Sequence, residues 1–211
     1  MGVIFMSDII IVISDIVKPF LLKSPTSRNY FLAPPDPSAL TRNPRYNSAM
    51  PMTPFMERFP ELAARETRSV TLRDRDDLPN GEYGFIEFYC DEPHCDCRRV
   101  MVVVLRPETG WKFWAAINYG WESVEFYRRW AGAPPSDDSP WQGPVLDPLT
   151  EPTPYAPALL ELFKFILQSP GYVPRLQKHY QLFRAAVEEE AVRKDPTPRS
   201  PAGSTPPRRA K

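Results

Sequence analysis

Apolar residues recur along this chain first with the period of a strand and then with the period of a helix. Tyr83, Phe85, Glu87 and Tyr89 alternate with Gly84, Ile86 and Phe88. Both sets are largely apolar and rich in aromatic side chains, which predicts a strand over 83–89 covered on both faces. A second run, 98–105, contains Val100-Met101-Val102-Val103-Val104-Leu105 and reads as a buried strand. Pro107-Glu108-Thr109-Gly110 is a turn, and Trp111, Phe113, Ala115, Ile117 and Tyr119 mark a third strand. Short connections between consecutive strands predict an antiparallel meander.

Helical spacing follows. Ser123 precedes a short helix with Phe126, Tyr127 and Trp130 on one face. Thr153-Pro154 suits an N-cap and first helical position. The helix they open, about 155–168, is apolar nearly all round and must lie across the sheet. Ser169-Pro170-Gly171 ends it, and Pro174 opens a last helix, about 174–192. Leu176, Tyr180, Phe183 and Val187 form the inward stripe of that helix. The expected fold class is α+β: a small three-stranded antiparallel sheet, residues 83–119, carrying a metal-binding loop and packed by two or three C-terminal helices.

Proline usage sets the expected boundaries. The 27 prolines of the 211 residues fall mainly in 19–60, 134–157 and 196–207. Proline resists helix interiors and central strands. Residues 1–77 are therefore expected to be an extension, largely linker or disordered. Residues 78–193 are expected to be the compact zinc-binding domain, and 194–211 a disordered Pro/Arg-rich tail. Ile9–Val17 is nearly continuous aliphatic sequence, interrupted by Asp15 and preceded by Asp8. A carboxylate at mid-membrane costs roughly 2.5–3.5 kcal/mol, and no basic region precedes the run. It reads as a buried strand or helix, or as a segment upstream of a start at Met50 or Met52, rather than as a membrane anchor.

The chain carries 26 basic and 26 acidic side chains, so no global field draws it to nucleic acid or a membrane. Residues 81–131 hold eight acidic and six basic side chains, a net of −2. That balance argues against a nucleic-acid partner, although Arg98, Arg99, Arg128 and Arg129 lie near Trp121, Tyr127 and Trp130. A protein partner is favoured over nucleic acid, with no segment that identifies it.

All three cysteines lie in the eight residues Cys90-Asp91-Glu92-Pro93-His94-Cys95-Asp96-Cys97, between the first two predicted strands. An odd, clustered set is no disulfide framework and points to a reducing, cytoplasmic compartment. In that setting clustered thiols are more often metal ligands or redox groups than staples, and structural zinc takes four Cys or His donors in a tetrahedron. Cys90, Cys95 and Cys97 supply three. The fourth is His179 or His94. His94 adjoins Cys95, and adjacent side chains in extended chain point apart. His179 lies on the inward stripe of the last helix, three residues after Leu176 and four before Phe183. A histidine at such a position is also commonly a satisfied core residue. The leading expectation is a closed Cys3His site of Cys90, Cys95, Cys97 and His179 in a zinc-stabilised interaction module without catalytic activity. The alternatives are a thiol redox switch or a metal-dependent enzyme using the same loop. His-Glu-x-x-His and Cys-x-x-Cys are both missing, and Asp91, Glu92 and Asp96 read as a solvated loop.

Tyr89-Cys90-x4-Cys95-Asp96-Cys97-Arg98-Arg99-Val100, with Ile117-Asn118-Tyr119-Gly120, Leu146-Asp147-Pro148-Leu149 and Arg175-Leu176-x2-His179-Tyr180-x2-Phe183, resembles a small family of uncharacterised bacterial proteins. The resemblance spans roughly residues 83–185. It implies a shared module and supports His179 as the partner of the cysteines, and it implies no activity.

Overall fold

A computed structural model describes residues 2–6, 9–14, 52–110, 112–132 and 141–194, the first two stretches as backbone strands. Eight strands form one sheet, antiparallel throughout: β1 (Gly2–Met6), β2 (Ile9–Ser14), β3 (Met52–Pro54), β4 (Arg68–Arg73), β5 (Gly81–Cys90), β6 (Arg99–Arg106), β7 (Lys112–Gly120) and β8 (Val145–Leu146). The order is β1-β2-β4-β5-β6-β7-β8, with β3 also on β5. One edge of β5 therefore serves two partners. Leu72 to Arg68 of β4 pair with Gly81 to Phe85, and Met52 to Pro54 of β3 pair with Cys90 to Phe88. The other edge pairs with β6, Gly84↔Leu105 through Phe88↔Met101.

The expected meander is present as β5–β6–β7, and the fold is α+β with an antiparallel sheet. The sheet is larger than three strands, because residues 52–146 alone contribute six. Residues 52–73, expected within the extension, build β3, α1 (Phe55–Arg58), α2 (Pro60–Glu66) and β4. Their prolines occupy tolerant positions: Pro54 ends a strand, and Pro60 sits in the first turn of α2. The expectations for residues 19–50 and for the tail from Pro196 lie outside the described residues.

Alternation sorts the strands onto two buried faces. Tyr83, Phe85 and Tyr89 of β5, Val100, Val102 and Val104 of β6, and Ala115 and Ile117 of β7 form one face. Two helices pack on it. α4 (Ala156–Leu167) contributes Leu159, Leu162, Phe163 and Ile166, and α5 (Tyr172–Lys194) contributes Leu176, Phe183 and Val187. Each such side chain, fully buried, stabilises the fold by about 1.5–3 kcal/mol. Ile86, Phe88, Met101, Val103, Leu105 and Ala116 are buried on the opposite face. A shorter helix, α3 (Val124–Ala131), begins where the Ser123 hydroxyl accepts from the Phe126 N–H at 3.3 Å and ends at Gly132, whose φ is 61°. No helix among the described residues is long and apolar enough to cross a membrane.

Candidate metal centre

β5 ends at Cys90 and β6 begins at Arg99, so the cysteine stretch is the connection between two central, hydrogen-bonded strands. The chain turns tightly there. The Cys95 N–H donates to the Glu92 carbonyl at 3.3 Å, and His94 and Arg98 take positive φ values of 63° and 43°. That path folds the three thiols together: one sulfur each from Cys90, Cys95 and Cys97, all within 4.8 Å of one another. All three cysteines are free. Zinc–sulfur bonds of about 2.3 Å set tetrahedral S···S edges of roughly 3.8 Å, so the cluster could hold a metal ion with small side-chain adjustment. Cys97 is 1% exposed and Cys90 5%, whereas Cys95 is half-buried. Hydrogen bonds from Cys90 and Cys97 lower the Cys95 thiol to about 2. The same contacts, with burial, push Cys97 well above the ordinary thiol range.

Polar side chains fasten this loop to the helices. Arg184 of α5 donates through Nη1 to the carbonyls of Cys90 (3.2 Å) and Glu92 (2.8 Å) and pairs with Glu188. Glu188 accepts from the His94 N–H at 2.7 Å, and its second oxygen lies 2.8 Å from His94 Nδ1. The Arg98 N–H donates to the Tyr180 hydroxyl at 3.3 Å, and the Tyr127 hydroxyl donates to the Arg98 carbonyl at 2.7 Å. Burial raises the Tyr127 phenol to about 12, so it remains a donor. Thr53 of β3 donates to Asp91 at 2.7 Å, and Arg98 pairs with Asp96 and Glu122.

His179 does not join the thiols. Its inward phase on α5 is as expected, and it is 1% exposed. At that turn, however, the helix faces Glu87 and not the loop. Nδ1 lies 2.7 Å from Glu87 Oε2 and Nε2 lies 3.0 Å from Glu66 Oε2, while the ring stacks on Phe55 at 4.3 Å. The loop meets α5 further along, at Tyr180, Arg184 and Glu188. His94, the alternative fourth ligand, is also outside the sulfur group, turned to Glu188.

Sequence reading missed Glu66, Glu87, Arg184 and Glu188. Glu87 carried a signal: it is the one charged residue among the inward positions of a strand buried on both faces. Such a carboxylate requires a partner, and the inward histidine was available. Arg184 and Glu188 carried no comparable signal, since an i, i+4 ion pair is ordinary on an exposed helix face. Comparison of this chain with protein-family models, curated proteins and solved structures finds no match in any of the three.

Proposed function

We propose that Cys90, Cys95 and Cys97 hold one zinc ion, and that the ion stabilises a protein-binding module rather than driving catalysis. The observation that carries this reading is the convergence of three free thiol sulfurs within 4.8 Å of one another. Thiolate donors select soft or borderline cations, and zinc is the redox-inert member that forms tetrahedral sites. Three thiolates neutralise much of its Lewis acidity, which suits a structural role. The ion would fix the loop between β5 and β6, and that loop is bound to α5 through Arg184 and Glu188. Its binding free energy would then add to fold stability. Arg98 and Arg184 are engaged by carboxylates, which favours a protein over a nucleic-acid partner. Three free thiols in contact also fit a reducing compartment such as the cytoplasm.

The test is elemental analysis of the full chain, purified under a non-thiol reductant. About one zinc per chain is expected, with loss in Cys90→Ser and Cys97→Ser. Chelation should lower the melting temperature. A zinc-free chain that fails to take up added zinc overturns the reading.

A further inference from the structure

We propose that the fourth coordination position of the Cys90–Cys95–Cys97 centre is open at the protein surface and takes an exchangeable thiol ligand from outside the chain. The inference rests on the metal reading above and goes beyond it by naming what completes the centre. The chain has three cysteines and two histidines in all. Both nitrogens of His179 face carboxylates at 2.7 and 3.0 Å. His94 is turned away, its Nδ1 and its backbone N–H both directed at Glu188. Among the described residues no histidine nitrogen and no carboxylate oxygen joins the three sulfurs. Two loop carboxylates are engaged elsewhere, Asp91 by Thr53 and Asp96 by Arg98. The described residues therefore offer three donors to an ion that prefers four.

The vacant direction is set by burial. Cys90 and Cys97 are buried, while Cys95 is half-exposed. An external donor approaches beside Cys95, on the loop that Arg184 holds through the Cys90 and Glu92 carbonyls. A zinc ion already bound by three thiolates polarises water weakly and retains its preference for sulfur. Thiol is the chemical class that fits. Binding is a ligand exchange: the incoming thiol loses its proton to solvent, its sulfur bonds to the metal, and a bound water leaves.

Cobalt(II), loaded into the full chain under a non-thiol reductant, makes the step visible. Titration with 2-mercaptoethanol should shift the d–d bands saturably and raise the sulfur-to-metal charge-transfer absorbance by roughly one third, as three Co–S bonds become four. A parallel titration with a short cysteine-containing peptide distinguishes the sources: tighter saturation by the peptide assigns a protein side chain, and tighter saturation by the free thiol a small molecule. His94→Ala should respond as the wild type does. A cobalt-loaded chain that ignores both thiols overturns the open position. A response gained only in His94→Ala overturns it too, because His94 then fills the fourth place. Failure to bind cobalt or zinc at all overturns the metal centre itself and is read before any thiol is added.

Discussion

Glu87 and His179 meet in the core at 2.7 Å, carboxylate Oε2 to imidazole Nδ1, from positions 92 residues apart in the chain. Glu87 stands on β5 directly across from Val102, and the Tyr89 hydroxyl lies 2.8 Å from the same oxygen. The contact helps fix how α5 sits on the sheet, because the inward positions before and after His179 on that helix, Leu176 and Phe183, are apolar.

Truncating one partner should therefore be costly. His179→Ala leaves Glu87, 3% exposed, without its imidazole hydrogen bond, a loss of about 1–3 kcal/mol. Replacing both, as Glu87→Met with His179→Leu, should be less destabilising than either single change, since the apolar pair removes both buried polar partners together. Urea unfolding of the three variants measures the coupling. Additive losses would show that the two residues act independently.

Arg184 carries the link between loop and helix. Arg184→Ala removes two charge-assisted hydrogen bonds to the Cys90 and Glu92 carbonyls. The expected loss is about 1–3 kcal/mol, together with faster transfer of metal to a chelator. Stability that falls with no change in metal release would separate the clamp from the thiol cluster.

Gly120, at the end of β7, is held to a hydrogen side chain by space. A Cβ there would collide with the Tyr127 hydroxyl and the Trp141 carbonyl. Gly120→Ala should displace Tyr127 from Arg98 and cost about 1–3 kcal/mol as overpacking. Tyr127→Phe, which loses only the hydroxyl, should cost about 1 kcal/mol. Equal losses in the two variants, by denaturant midpoint, would argue that the space around Gly120 yields freely.

Arg58 of α1 and Glu190 of α5 pair at 2.9 Å. Hydrogen bonds from Lys194 and Arg58 lower the Glu190 carboxyl from 4.5 to about 2. A carboxyl depressed in the folded state contributes its stability in full above the unfolded value and loses it as pH falls through the folded one. The melting difference between wild type and Glu190→Gln should accordingly be present at neutral pH and shrink between pH 4.5 and about 2. A difference that is flat across that interval would contradict the pairing.

The strands β5 and β7 were legible from their alternation and β6 from its continuous apolar run, with Pro107 and Gly110 marking the turn between β6 and β7. The helices α4 and α5 were legible because proline opens them. The region 52–73 was not, because Pro54 and Pro60 read as breakers when each in fact sits at an element end. The thiol cluster followed from the spacing of Cys90, Cys95 and Cys97. The partner of His179 did not, because a helical phase says which side a residue faces and not what stands opposite at that height. Only the placement of Glu66 and Glu87 determines that, and both depend on pairing between distant segments.

The double occupancy of the β5 edge has a kinetic consequence. Without β4, docking Met52 against Cys90 closes a loop of about 38 residues. Once β4 is seated, the remaining excursion from Phe55 to Thr67 is 13 residues long, and closing it costs roughly 1 kcal/mol less chain entropy. β4 should therefore add to β5 first and β3 second. Pulse-labelled amide exchange should protect Val70 and Leu72 ahead of Thr53, and simultaneous protection would mean that the segment folds as one unit. In that order the rim carrying Cys90 is the last part of the β5 edge to be secured, so a metal ion arriving early would meet thiols on a strand end still free to rearrange around it.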